Sequence, residues 1–398
     1  MKDNYTASRF SPPNGKRHFS PAGTAIIPPI MRRRNFLATP LAGFQLAAIS
    51  SERPIHASGD GIPHTPEEYA QLLADLAKSG DLTPDEYSRG GVVEKLEARM
   101  ASLLGKEAAV WLPTGTLANH LAVRLLAGDK RRVLVQAESH LFNDCGDCAQ
   151  TLSGLHLVPL GAGRATFTLQ EVERAASDSQ LGRVLTPIGA IQIETPVRRR
   201  QGERFDFEEM KKIAAWARER KIGLHLDGAR LFLESVYTSR PVTEYAALFD
   251  TVYISMYKYF NAASGAVLAG PKPLLAGLYH TRRMFGGGLP QVWPFAAVAL
   301  HYLDGFEQRF RTAMNTAEAV IAALHTDTNF EVERIPNGTN VFRLRLTSVN
   351  APVYLGRLEA AGISARTPTG DWLTLQVNET WARLPAAEIT ARFRKALG

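Results

Sequence analysis

Two cysteines in 398 residues leave no disulfide framework to hold this chain together. No run approaches the roughly 18 uninterrupted apolar residues that a helical membrane span needs. Charge of one sign is also scarce over most of the length. The net charge is +7, and residues 1–60 supply +5 of it through eight Lys/Arg against three acids. The remainder is nearly balanced at +2, so the basic isoelectric point does not argue for a nucleic-acid partner. What is present is ordinary for a globular protein: 45% apolar and 21% charged residues. A chain this long buries a large core, and at roughly 150 residues per domain it suggests two or three domains.

Residues 1–30 are rich in Pro and Ser and show no apolar period. They read as disordered, or as an extension upstream of a start at Met31. Next come Arg32-Arg33-Arg34-Asn35-Phe36-Leu37, an apolar stretch from Leu37 to Ile49, and small residues before Ala57-Ser58. A basic region followed by a short apolar region is a secretory pattern. The Arg-Arg-x-Phe-Leu core resembles the twin-arginine signal, which a receptor reads as an address. Export to the periplasm is therefore expected, with a cytoplasmic location if the signal is unused.

From about residue 60 helical and strand patterns alternate. Phe207, Met210, Ile213, Ala214 and Ala217 follow Asp206, a predicted N-cap. Short apolar runs lie at 109–112, 133–135, 155–160, 190–193, 222–226, 252–254 and 266–268. Runs apolar on both faces and separated by helices predict a mostly parallel sheet covered on both sides. The later pattern differs: a helix over 291–325, a strand at 341–346, a helix at 352–361, a strand at 372–377 and a helix at 386–396. The expected organisation is a leader over 1–58, an arm over 59–90, a large α/β domain over 91–305 and a small α+β domain over 306–398.

In open α/β sheets ligands sit beyond the carboxyl ends of the strands. Four such ends carry chemistry. Pro113-Thr114-Gly115-Thr116 opens a helix, which is either an ordinary N-cap or an anion cradle of backbone N–H groups. Asp227-Gly228-Ala229-Arg230 follows a buried run and offers either an internal ion pair or an acid aimed at a ligand. Lys258, flanked by Tyr257 and Tyr259, is either a snorkelling side chain or an amine whose pKa burial lowers. His140 follows another run, where a histidine is commonly a core or capping residue. Together an anion cradle, a stacking His, an Asp and a Lys about 30 residues further on make a pyridoxal-phosphate site: cradle, pyridinium acid and Schiff-base lysine.

Residues 85–303 resemble the threonine aldolase and aromatic amino acid β-eliminating lyase family, pyridoxal 5'-phosphate enzymes of aspartate-aminotransferase-like fold. The likeness rests on Tyr87-Ser88-Arg89-Gly90, on 104–109, on Thr114 to Asn119, on His225-Leu226-Asp227-Gly228-Ala229-Arg230-Leu231, on Lys258 with Gly265, and on Gly286-Gly287-Gly288. The resemblance implies Lys258 as the Schiff-base lysine and Asp227 against the pyridine nitrogen. It implies His140 on the ring, where it or a water it orients would be the base, with Thr114, Gly115 and Thr116 around the phosphate. Arg230 would lie near the cofactor hydroxyl and substrate carboxylate. Arg283 would help a neighbouring subunit, so a homodimer or homotetramer is implied. The implied reaction is cleavage of a β-hydroxy-α-amino acid to glycine and an aldehyde, with β-elimination on a β-substituted amino acid as the alternative. A non-catalytic homologue is the reading from another class.

The departures fall on the substrate side. Tyr257 stands where relatives have Ser, Tyr259-Phe260-Asn261 where they have Gly-Leu-Gly, and Pro290 where many have Arg. Glu194-Thr195-Pro196-Val197 lacks the family's His, Trp372 stands near an expected carboxylate-binding Arg, and the N-terminal Ser-Asp-Thr stretch is not evident. A different carboxylate clamp is expected, from Arg198, Arg199 or Arg343. Cys145-Gly146-Asp147-Cys148 has no second pair to complete a zinc site, so no metal is expected there. A packed pair of thiols on one helix is the simplest reading, with a redox pair as the other.

Overall fold

The computed structural model describes residues 53–80 and 82–398, so the twin-arginine stretch lies outside the described residues. The strands run β1 (Ile55–His56), β2 (Ala108–Leu112), β3 (Arg132–Gln136), β4 (His156–Leu160), β5 (Ile188–Glu194), β6 (Gly223–Asp227), β7 (Thr251–Ser255), β8 (Ala266–Gly270), β9 (Phe330–Arg334), β10 (Val341–Leu346), β11 (Ile363–Ser364) and β12 (Trp372–Gln376). The seven apolar runs are β2 to β8. They form one sheet in the order β2-β8-β7-β6-β5-β3-β4. β3 to β7 pair in parallel, and β8 lies antiparallel between β7 and β2. Every residue of β5 and of β7 is buried, as the covered sheet requires.

Strand order reverses between β3 and β5: β3 leads out to β4, and β5 begins the walk the other way. A crevice at such a switch point is where ligands bind. The helices that frame it start as their sequences direct. Thr114 caps Gly115–Ala127 by accepting from Leu117 N, and Asp206 caps Phe207–Glu219 by accepting from Glu209 N.

The single helix expected over 291–325 is two helices, Trp293–Leu303 and Phe306–His325. The break falls at Asp304-Gly305, where Gly305 adopts φ +71°, a backbone that glycine alone takes without strain. The second helix joins two apolar cores. Phe306 and Phe310 pack with the large sheet. Ala313, Ala317 and Val320 pack with Phe342, Leu344, Trp381 and Phe393 over the antiparallel sheet β12-β10-β9. Among the described residues no helix is long and apolar enough to cross a membrane.

The fold also reaches back into the stretch read as leader. β1 pairs in parallel with β11. Ala57 N donates to Ser364 O at 2.7 Å, and Ala57 O accepts from Gln376 N at 2.9 Å. Ile55 and Ala57 are fully buried in the second core. Sequence pattern missed this because a two-residue strand has no periodicity. Its role comes from residues some 300 positions away. A chain starting at Gly59 loses the buried Ile55, and losing one such side chain costs about 2–5 kcal/mol. We expect its Tm to fall by more than about 5 °C against a chain starting at Arg53, measured by calorimetry.

Candidate active site

The carboxyl edge of the large sheet opens into a cavity of about 600 Å³. Asp227 ends β6 at its floor, Glu194 ends β5 beside it, and Lys258 stands on the turn after β7. His140 enters after β3, as the first residue of the short helix His140–Asn143. The structure therefore brings Lys258, Asp227, His140 and Arg230 around one space, although they span more than 100 residues of sequence.

Asp227 is buried and fixed by two donors. Asn119 Nδ2 donates to Oδ2 at 2.6 Å, and Ala229 N donates to Oδ1 at 3.1 Å. Behind it Asn119 Oδ1 meets His225 Nε2 at 2.8 Å, and His225 Nδ1 meets Thr251 Oγ1 at 2.9 Å. Burial pushes the His225 imidazole down to about 4, so this relay adds no positive charge of its own. The carboxylate is thus aimed by neutral groups and is left to meet a cation in the cavity.

Lys258 did not snorkel. Burial first, then the positive charge of Arg230, bring its pKa down to about 8. Among the described residues Nζ makes no hydrogen bond or ion pair, and it lies 5.4 Å from the Tyr257 ring centre.

Arg230 is paired, but not with Asp227 of its own motif. Its Nε and one terminal nitrogen reach Asp60 Oδ2 at 2.9 and 2.8 Å. Burial alone would raise the Asp60 carboxyl; the Arg230 guanidinium more than reverses this and holds it below the usual range. Asp60 belongs to a strap, residues 58–64, laid across the Lys258 turn. Ile62 N donates to Asn261 Oδ1 at 2.7 Å. A Cβ on Gly61 would stand 2.2 Å from Lys258 O, so only glycine permits the approach.

Glu194 is the second acid of the cavity and faces Asp227 across paired strands. Its Oε2 accepts from His140 N at 2.6 Å and its Oε1 from Arg198 N at 2.9 Å. Burial and the neighbouring Asp227 charge push its pKa up. His140 is held from three sides. Its Nδ1 lies 3.4 Å from Asp144 Oδ2, its backbone binds Glu194, and a hydrogen bond with the Cys145 thiol raises its pKa.

Other expected residues sit around this space rather than in it. Thr114, Gly115 and Thr116 form the first turn of Gly115–Ala127. Tyr253, which lines the cavity, fills the space beside Gly115, where a Cβ would meet its hydroxyl at 2.1 Å. Arg283 lies on the surface over the Tyr87 ring at 4.6 Å, outside the cavity lining. Of the three clamp candidates only Arg198 lines the cavity. Arg198 and Arg199 both pair with Asp144, at 2.6 and 3.1 Å, and Arg343 stacks on Trp372 at 4.4 Å and pairs with Glu333 at 2.8 Å. Cys145 and Cys148 are free and buried, but not on one helix: Cys148 begins Cys148–Ser153 and Cys145 precedes it.

Sequence reading overlooked Asp60 and His64, both of which line the cavity, and gave Glu194 no role. Glu194 carried a usable signal, an acid closing a wholly buried run, as Asp227 closes a largely buried one. Asp60 carried none, since its meaning lies in a partner 170 residues away.

The β-eliminating lyase family matches residues 72–343. A low-specificity L-threonine aldolase of Candida albicans is 29% identical over 238 residues, which is 59% of this chain and 63% of that protein. An alanine racemase of Cochliobolus carbonum is 29% identical over 237 residues, 58% of each chain. The alignments thus span less than two thirds of these relatives. A solved candidate L-allo-threonine aldolase of Listeria monocytogenes EGD-E is 27% identical with a TM-score of 0.70, covering 86% of this chain and 95% of that one. That likeness carries the expected aspartate-aminotransferase-like α/β fold. With the family matched over about two thirds of its length, the chain belongs to the β-eliminating lyases.

Proposed function

We propose that the protein is a pyridoxal-phosphate-dependent lyase that cleaves the Cα–Cβ bond of a β-hydroxy-α-amino acid, giving glycine and an aldehyde. The observation that carries this is a lysine of lowered pKa and an Asp pinned by two donors, facing one cavity. The donor set fits the cofactor: a helix N-terminus for phosphate, an amine for the aldehyde and a carboxylate for the pyridine nitrogen. The aldolase relatives support the same reading.

Lys258 would hold the cofactor, Asp227 would pair its ring nitrogen, and His140 would lie on its face. Gly115 and Thr116, with Thr114 at the cap, would receive the phosphate. Bound there, the cofactor supplies an electron sink for the pair left on Cα when the bond breaks. Asp227 would sustain that sink by holding a proton at the ring nitrogen. Arg230 is held in place by Asp60 and offers its remaining N–H groups to the substrate side. Arg198, also in the lining and steadied by Asp144 at 2.6 Å, would offer its remaining N–H groups as the carboxylate clamp that the family's missing arginine leaves open. Arg283 lies outside the cavity lining, and its role there would need a second copy of the chain, as a dimer or tetramer.

Incubation with a panel of β-hydroxy and β-substituted amino acids tests the reaction. Glycine plus aldehyde in equal amounts is expected. Ammonia with a keto acid would replace this reading by β-elimination, and only inverted stereochemistry at Cα would replace it by racemisation.

The lysine also sets a pH dependence. Lys258 would hold the cofactor through its neutral amine, and the neutral fraction grows as pH rises through about 8. Uptake of pyridoxal phosphate by apo-protein, followed by absorbance, should accelerate up to about that pH and then level. A rise continuing towards pH 10 would mean an unshifted lysine.

Export through the twin-arginine route is proposed for the intact chain, since that machinery carries folded protein. Processing would then fall before Ile55, which spares β1. N-terminal sequencing of the exported product tests both points.

A further inference from the structure

We propose that His64 is the catalytic base that takes the β-hydroxyl proton of the substrate, with Tyr302 as its positioning residue. The proposal rests on the lyase reading above. Cleavage of the Cα–Cβ bond needs a group that removes the hydroxyl proton as the carbonyl forms. The cavity lining offers few. Both Glu194 oxygens already accept backbone N–H groups, and the carboxylate sits behind His140. The His140 Nδ1 faces Asp144, and a hydrogen bond to the Cys145 sulfur favours its protonated form. Burial raises the Tyr257 phenol, which makes it a reluctant base at neutral pH.

His64 differs from these. It lines the cavity at the end of the strap that carries Asp60 and Gly61 against the Lys258 turn. Its Nε2 lies 3.0 Å from the Tyr302 hydroxyl. Its ring lies edge-on to Tyr69 at 6.3 Å and tilted to Tyr302 at 5.8 Å, which fixes its plane. Among the described residues Nδ1 makes no hydrogen bond. Burial lowers its pKa, so the ring is neutral when substrate arrives. With Nε2–H donating to the Tyr302 oxygen, Nδ1 carries the lone pair, and the same contact supports the cation formed on proton uptake.

The step balances without a co-reactant. The hydroxyl proton passes to Nδ1, and the oxygen's electron pair becomes the second bond of the aldehyde. The Cα–Cβ pair stays with Cα, which takes a proton to leave glycine. His64 then gives its proton to water.

Two reactions of the cofactor-loaded enzyme separate this role from a structural one. Deuterium exchange at Cα of glycine needs Lys258 and the cofactor but no hydroxyl base. Threonine cleavage needs both. His64→Gln should slow cleavage at least 100-fold through kcat while changing glycine exchange less than about threefold. Tyr302→Phe should lower cleavage kcat about tenfold with glycine exchange likewise kept. In the apo-protein, diethyl pyrocarbonate should modify His64 at Nδ1, located by peptide mass, and pyridoxal phosphate should slow it. Equal loss of both reactions in His64→Gln, or loss of neither, would overturn the proposal, as would a His64 inert to the reagent in apo-protein. A wild-type enzyme that exchanges glycine but cleaves no β-hydroxy amino acid would overturn the lyase reading itself.

Discussion

Lys258→Ala is expected to lower turnover by roughly 10^4-fold, the scale on which a covalent anchor and a proton carrier are lost together. The same variant should be no less stable than the parent without cofactor. Lys258 sits in the cavity without an ion-pair partner, and both burial and Arg230 oppose its charge. Its pKa is about 8 in the folded chain against an ordinary 10.5. Between those values the unfolded state binds the extra proton, so parent stability rises with pH across that window. Below about 8 the cost of charging the folded amine is carried in full. The alanine variant removes this slope. Two measurements check the prediction: borohydride reduction of the loaded parent with peptide mapping, and denaturant unfolding of parent and variant from pH 7 to 10.5. Label on another lysine, or a variant that keeps turnover, would remove Lys258 from the centre of the site.

The parts legible in the sequence are those set by local pattern. The central strands were visible because a strand buried on both faces is mostly apolar, while the edge strands β2 and β4, only partly buried, still showed as apolar runs. Asp227 and Lys258 were visible because polar residues closing such runs have to be placed by something. Asp206 and Thr114 announced their helices through capping chemistry. What stayed hidden depends on distant partners. The Asp60–Arg230 pair joins positions 170 apart, and β1 finds its partner in β11. No window of sequence contains either pair. The break at Asp304-Gly305 was a different kind of miss. Apolar residues continue on both sides of it, and the Asp-Gly pair inside the run is the turn signal that reading one helix over 291–325 left out. Arg343 was a candidate clamp because the family's carboxylate contacts are missing, and Trp372 and Glu333 hold it instead.

Asp60→Asn is expected to destabilise the protein by about 3–5 kcal/mol, the cost of leaving one member of a buried ion pair without its partner. Asp60 is 9% exposed and accepts two contacts from the Arg230 guanidinium. Asparagine keeps the shape but not the charge, so Arg230 stays buried with its nearest countercharge gone. The consequence reaches the amine. Asp60 is one of the charges that favour protonated Lys258, so its removal lowers the lysine pKa further. Cofactor uptake should then level off at a lower pH than in the parent. The stability effect has its own pH signature. The folded pKa of Asp60 is depressed, so its contribution is present above the ordinary carboxyl pKa of 3.8 and is lost as pH falls below it. Parent and variant should therefore converge in acid and diverge at neutral pH. A double-mutant cycle with Arg230→Gln identifies the cause. If the uncompensated guanidinium carries the cost, the double variant is more stable than Asp60→Asn alone. Additive losses would instead place the effect in the strap. Asp60 would then act mainly by holding residues 58–64 over the Lys258 turn, where Gly61 already stands too close for any larger residue.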